Sequence, residues 1–436
     1  MWKGALLALF SYGLQAYARP TLARSTVHAA RRGPTNAPAR YARGESLAAY
    51  TFARLTTTCA LEALVPEWTN FCRAAAPHNP FAHPLWMTTW ARHFVTPNDL
   101  YVITMRGKAG ELVAVAPFYR RHIAVGPSVI ETRLHLLGAG QHTSLTELPQ
   151  IVIQPGLERA VLRGLVGYLG AHAADWDWIE LALTPEQGWL EPEWLPRNGA
   201  GQGSFGLHKA TRPCVVLPLP CSLEALQGGL KRNVKESLRR GANSLTRAGY
   251  NWEVTTPETL TDLTRSLNTL VDLHRSRARL EGVMRHDDYV AHHADRAFLH
   301  DIARRLFPAG AAQVLLLRVD GTPTAGRLLL HGHDATFLSL SGFDPAWWTY
   351  NVATTLTVEC LRRAVARGNT SVNLSSGPDV AKLRWSEHLE MHQVFVVVGP
   401  RRRSQLAFTM HWQLRAAHHI RRESRRFGGT KTGAKG

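Results

Sequence analysis

One stretch, Ala311 to Trp385, limits the possible folds more than any other part of this 436-residue chain. It opens with two apolar runs, VLLLRV and AGRLLLHG, on either side of Asp320-Gly321. Such runs around an Asp-Gly pair predict a β-hairpin. Thr336 to Ser341 reads as a third strand. The period then changes: Val352, Leu356, Cys360, Ala364 and Val365 share one helical face, and Gly368 fits a C-terminal stop. Val372 to Leu374 is a short buried strand, followed by the loop SSGPDVAKLRW with a single lysine, Lys382. The same order occurs earlier, as a strand–turn–strand at 101–119, a helix at 157–171 and a strand at 176–181. Each set leaves an apolar sheet face that a neighbour must cover. The expectation is an α/β (α+β) protein of two similar units, each a mixed sheet flanked by helices.

The remaining segments fit around those units. Helices are expected over Leu55 to Ala75 and His83 to His93. A long helix runs from a Ser222 cap to Gly249, with Leu223, Leu226, Leu230, Val234 and Leu238 in its stripe. Thr256-Pro257 opens another, carrying Leu260, Leu263, Leu267, Leu270 and Val271 inward and ending in the basic run Arg275 to Arg279. Residues 185–213 are rich in Pro, Gly and Trp and read as a loop, with a short strand over Pro213 to Pro220. These breaks give a basic leader at 1–45, a first unit at 46–220, a second at 221–400 and a basic tail at 401–436.

Charge is concentrated at the ends. Of the net +18, residues 1–44 hold seven Lys/Arg and no acid, and residues 401–436 hold ten Lys/Arg and only Glu423. The ends therefore supply +7 and +9, leaving the body at +2. A basic balance of this kind describes two tails rather than a nucleic-acid-binding core. The tails read either as solvated ends or as weak attachment to anionic lipid or RNA. The run Ala5 to Leu14 followed by Ala16-Tyr17-Ala18 resembles a secretory signal, or equally a misassigned start. Five scattered cysteines without CxxC spacing argue for a reducing, cytoplasmic setting and against a disulfide framework.

Several of these pieces, AVAPFYRR, LKRNVKESLRRGANSLTRAG, LVDLHRSRARLEG, LLLRVDGTPTAG, SGFDP and SSGPDVAKLRW, resemble the CelD-type (BioF2-like) acetyltransferase family. That family lies in the GNAT superfamily, near the FemAB-type aminoacyltransferases. The resemblance runs roughly from Trp68 to Val398. It implies two tandem GNAT-like domains, with the acyl-donor site in the second. It also implies transfer of an acyl group from acetyl-CoA or another acyl-CoA to an amine or hydroxyl. The acceptor would be a sugar or amine building block of envelope, cellulose or exopolysaccharide, with the enzyme cytoplasmic or peripheral to the inner membrane. The alternatives are a FemAB-like enzyme using aminoacyl-tRNA, the one case in which nucleic acid is a partner, and a non-catalytic binding protein. Relatives carry Pro-Gly after the GFDP turn; this chain has Tyr350-Asn351-Val352.

Each candidate residue has two readings. Lys382 contacts a donor phosphate or stabilises the oxyanion of acyl transfer, or is a solvated loop lysine. Asp344 orients or deprotonates the acceptor, or is an ordinary turn residue before Pro345. Asn351 and Val352, opening a helix, offer backbone amides to the donor phosphate. Arg327 faces a cleft or a buried carboxylate. Lys231, Arg232 and Lys235 hold an acidic or phosphorylated substrate, or form a charged solvent face. The 21 histidines include His331-x-His333 and His292-His293, but no HExxH, so no metal site is expected.

Overall fold

The computed structural model describes residues 50–143, 145–188, 204–280 and 286–428. The leader lies outside these residues. The first unit contains β1 (Thr51–Leu55), α1 (Thr58–Ala75), α2 (Pro84–Phe94), β2 (Leu100–Arg106), β3 (Leu112–Val125), β4 (Ser128–Leu136), β5 (Val152–Ile153), α3 (Glu158–Ala171), β6 (Trp178–Leu183), α4 (Pro185–Gly188) and β7 (Phe205–Pro218). The second contains α5 (Leu223–Gly229), α6 (Arg232–Arg247), β8 (Trp252–Thr255), α7 (Leu260–Ala278), α8 (His293–Leu306), β9 (Ala312–Val319), β10 (Thr322–His331) and β11 (Ala335–Phe343). It continues with α9 (Val352–Ala366), β12 (Ser371–Ser376), α10 (Val380–Leu383) and β13 (Leu389–Val398), and α11 (Arg402–Gly428) is the last described element.

Both units repeat one order: strand, two helices, three antiparallel strands, helix, strand, and a last long strand. The strands form one continuous sheet in the order β1-β2-β3-β4-β6-β13-β7-β12-β11-β10-β9-β8, with β5 paired to β3. The last strands are exchanged. β13, from the second unit, lies beside β6, and β7, from the first, lies beside β12. The units therefore share their main-chain hydrogen bonding as well as an apolar core. On one face, α1, α2, α7 and α8 bury a common cluster that includes Trp68, Trp86, Phe298 and Phe337. Phe81 meets Phe337 edge-on at 4.8 Å across the units. On the other face α3 covers the first half of the sheet and α9 the second.

Three details differ from the sequence expectation. The long helix from Ser222 is two helices, broken at Leu230-Lys231 just after Gly228-Gly229, where the helix has no side-chain support. The helix after Thr256-Pro257 starts at Leu260, because Thr259 caps it by accepting from the Asp262 amide at 3.1 Å. Residues 205–212, expected in a loop, are the first half of β7. Their polar side chains hide a strand whose backbone is paired to β13 on both sides of a bulge at Lys209.

Candidate active site

Two irregularities open the sheet at one place. β11 and β12 run parallel for three partners, Ala335↔Ser371, Thr336↔Val372 and Phe337↔Asn373, and then part. On its other side β11 pairs with β10, and the register slips between Arg327↔Ser341 and Leu329↔Leu338. Two residues, Ser339 and Leu340, therefore face the single residue Leu328. Such a bulge takes one residue out of the ladder and re-aims the strand. Ser339 and Leu340 line a cavity of about 950 Å³ that fills the gap between the parted strands. Its size suits a large, elongated ligand.

The start of α9 forms one wall. Asn351 has a left-handed backbone, φ +56°, and its carbonyl accepts from Thr354 and Thr355 at 2.9 and 3.0 Å. Asparagine is among the few residues other than glycine that enter this region readily. It therefore supplies the turn that a glycine would make in the Pro-Gly of the resembling family. The amides of Val352 and Ala353 precede the first helical hydrogen bond and belong to the positive end of the helix dipole. Asn351, Val352, Ala353 and Thr354 all line the cavity. Arg384 donates to Thr354 Oγ1 at 2.8 Å, beside this wall. Burial holds the Arg384 guanidinium below its ordinary value.

The opposing loop is stapled. Ser375, at the end of β12, has φ +80°, a strained conformation for a residue with a Cβ. Three groups hold it. Asn373 Oδ1 accepts from the Ser375 amide at 2.8 Å. Lys382 Nζ donates to the carbonyls of Ser376 and Gly377 at 2.5 and 3.0 Å. Glu147, from the first unit, accepts at Oε2 from Ser375 Oγ, the Ser376 amide and Ser376 Oγ at 2.6, 2.8 and 2.9 Å. Burial lowers the Lys382 ammonium, and the nearby Asp379 and Glu147 carboxylates oppose that shift. Lys382 and Glu147 both line the cavity.

A third wall comes from α7 and the segment after it. Arg277 lies over the Phe343 ring at 5.6 Å and donates to Ser341 Oγ at 2.8 Å. Burial and the neighbouring Arg327 charge push it down to about 10. His286 is pushed down to about 3 by burial and by the Arg277 charge, so it is neutral. His274 is fully buried beneath this wall: Nδ1–H donates to the Ser341 carbonyl at 2.8 Å, and Nε2 accepts from the Tyr289 amide at 3.0 Å. α7 lies so close to β11 that a Cβ on Gly342 would stand 2.2 Å from the His274 nitrogen. The glycine of SGFDP is thus a packing requirement of the site.

Residues 232–383, from α6 to α10, match the model of an acetyltransferase (GNAT) domain. The protein carries a GNAT acetyltransferase domain. All of α9, the bulge, Arg277, Arg327 and Lys382 fall inside it, whereas Glu147 lies outside. Over 82% of this chain and 99% of that one, the fold is similar to that of FemX, at 12% identity and a TM-score of 0.57. A conserved protein of unknown function from Bacteroides thetaiotaomicron matches at 12% identity and a TM-score of 0.50, over 80% of this chain and all of that one. No curated protein sequence matches the chain. The architecture is two GNAT-like units in tandem, as the repeated element order requires.

Within this GNAT pair the expected residues fall in different places. Lys382, Asn351, Val352 and Arg327 line the cavity. Asp344 is not among the lining residues; its Oδ1 accepts from the Ala346 amide at 3.0 Å and caps the turn Pro345–Tyr350. Lys231 pairs with Glu387 at 2.5 Å. Arg232 is exposed and pairs with Glu236, and Lys235 donates to the Gly228 carbonyl at 2.7 Å. None of the three is among the lining residues, although Lys231 Nζ also reaches the Leu383 carbonyl at 3.4 Å, between Lys382 and Arg384. Among the described residues no group of three His, Cys, Asp or Glu could hold a metal.

Sequence reasoning missed Glu147 and underused Arg277. Glu147 sits in an aperiodic loop and reaches a serine 228 positions away, so no local pattern marks it. Arg277 was visible only as one of three arginines in a basic run.

Proposed function

We propose that the protein transfers an acyl group from acyl-CoA, acetyl-CoA first among them, to an amine or hydroxyl. The observation that carries this reading is the open gap between β11 and β12, with a strand bulge on one side and the free start of α9 at its mouth. An extended thioester donor fits that gap. Its diphosphate would meet the first amides of α9 together with Arg384. Its carbonyl would lie at the Ser339–Leu340 bulge, where backbone amides freed from the ladder stabilise an oxyanion.

Glu147 is the carboxylate we place beside the acceptor. The acceptor nitrogen attacks the thioester carbon and passes its proton to Glu147. The C–S bond then breaks, its electron pair leaves on the CoA sulfur, and Glu147 returns the proton to that sulfur. Lys382 is a positioning residue, because its ammonium is spent on two carbonyls of the loop that Glu147 also grips. Asp344 is spent on its cap. Binding and positioning carry most of the rate in such a direct transfer.

Calorimetry with acetyl-CoA and with charged tRNA tests the donor. One acetyl-CoA is expected to bind per chain, with Arg384→Ala weakening it about tenfold, the loss of one charge-assisted contact of about 1.4 kcal/mol. Binding of charged tRNA alone would instead favour a FemAB-like aminoacyl transfer. If neither donor binds, the fold serves as a binding module.

We also place the reaction at an anionic membrane surface. Among the described residues no helix is long and apolar enough to cross a membrane. α11, however, exposes Leu406, Met410 and Leu414 at helical spacing, with Leu414 70% exposed, while Phe408 packs on Trp178 from the other side. The tip of the β3–β4 hairpin exposes Val125, Val129 and Ile130. The two patches flank one corner: Ser404 at the start of α11 and the Thr132 amide of β4 both bond Asp177. Apolar side chains beside a +9 segment are what an anionic bilayer attracts. Co-sedimentation with phosphatidylserine vesicles should be strong at low salt, and the double variant Leu406→Ser/Leu414→Ser should abolish it. Equal partition onto neutral and anionic vesicles would remove this placement.

A further inference from the structure

Arg327 is the least expected charge in the cavity. It stands on β10, directly across from Ser341 and next to the bulge. Its Nε is buried and has no hydrogen-bond partner among the described residues. Burial holds its guanidinium below the ordinary value, and the other group acting on it is the buried thiol of Cys360, which is itself pushed up to about 12 and so is neutral. Arg277 reaches the same place from α7, through Ser341 Oγ. Two guanidiniums therefore converge on one strand position without a carboxylate bonded to either among the described residues.

A half-buried guanidinium with no acid bonded to it is costly, and such groups are usually paired. Nearby acids do not relieve it. Asp288 is taken by Arg275, at 3.6 Å, and by the Val290 amide, at 3.1 Å. Asp379 caps α10, and Glu147 holds the serine loop. His286, on the same wall, is neutral and adds no negative charge. The pair is also separate from the cation at the start of α9. Arg277 reaches Ser341 on β11, whereas Arg384 reaches Thr354 in α9.

We infer that Arg277 and Arg327 form an oxyanion site for the acceptor, so that the substrate accepting the acyl group carries a carboxylate or a phosphate. This rests on the acyltransfer reading, which gives the start of α9 to the donor and leaves the α7 wall for the acceptor. Arginine suits the task, since its planar fork meets carboxylate and phosphate oxygens in pairs. The acceptor's anionic group fixes one end on Arg277 and Arg327, while its amine or hydroxyl lies toward Glu147 and the bulge. Neutral sugars and amines would leave both guanidiniums unpaired and would bind poorly.

The test uses the full chain saturated with CoA. Inorganic phosphate is titrated into it by calorimetry, and matched acceptors, glucosamine 6-phosphate against glucosamine and glycine against glycinamide, are compared in turnover with acetyl-CoA. One phosphate is expected to bind to the CoA complex. Arg327→Met and, independently, Arg277→Met should each weaken it at least tenfold while CoA affinity stays within twofold. The anionic member of a pair should be preferred by at least tenfold wherever one member is used. Absence of phosphate binding to the CoA complex, unchanged binding in both variants, or equal use of neutral acceptors would overturn the acceptor site and leave the donor reading intact. Parallel loss of CoA affinity in the variants would also overturn it, by moving the pair into the donor site. Failure of CoA itself to bind would remove the donor reading and this inference with it.

Discussion

Glu147→Gln is expected to lower turnover by about a hundredfold to a thousandfold, within the range for loss of a general base, while leaving acetyl-CoA affinity within about twofold. The two outcomes separate two roles of one side chain. The glutamine oxygen can still accept from the Ser376 amide, where Glu147 Oε2 now accepts at 2.8 Å. The loop after β12 therefore keeps its main contact with the first unit, and the donor wall keeps its shape. What glutamine cannot do is take a proton from the acceptor. A residue that only held the loop would behave in the opposite way, with weaker donor binding and turnover restored at saturating donor. Steady-state kinetics beside direct binding would show which pattern holds, and a drop in donor affinity matching the drop in turnover would sink the base assignment.

This residue also shows where sequence stops being informative. The second unit was legible because its elements have strong periods. The hairpin over β9 and β10, the face of α9 from Val352 to Ala364 and the short strand β12 each follow from apolar spacing alone. The polar half of β7 was not legible, because a strand carrying His208, Lys209 and Arg212 resembles a loop until its partner strand is known. The strand exchange has no sequence signature at all. It depends on β7 and β13 each finding the other unit's edge. Of the site, the start of α9 and Lys382 were visible on the resemblance, and Arg327 as a lone charge in the apolar run of β10. The lysines of α6 attracted attention through i,i+4 spacing, which an exposed helix face produces equally well. The two residues given the most chemical work here, Glu147 and Arg277, reach the cavity through tertiary packing.

Acid should destabilise the fold well before its carboxylates titrate, and the reason lies in how the two units differ. Each has a parallel pair of strands that parts. In the second unit the gap is the cavity. In the first, β4 and β6 pair at Arg133↔Trp178 and Leu134↔Ile179, and beyond them His135 lies against Glu180, which is ion-paired with Lys209. His135 is 2% exposed, both its ring nitrogens lack hydrogen-bond partners among the described residues, and burial pushes it down to about 4. His331, at the end of β10, is likewise buried and pushed down to about 4. A histidine in an unfolded chain titrates near 6.5. Above that value both states are neutral and the shift has no effect. Between about 6.5 and 4 the unfolded chain takes up protons that the folded one refuses, so stability falls as pH falls. By pH 5 each histidine has lost about 2 kcal/mol, and the pair about 4 kcal/mol, a large part of an ordinary folding free energy. Urea midpoints at pH 7 and pH 5 should show that loss. His135→Leu, which does not titrate, should remove about 2 kcal/mol of the loss. An unchanged pH dependence in His135→Leu would mean that His135 takes up its proton as readily in the folded chain as in the unfolded one, and that its ring is not kept neutral by burial.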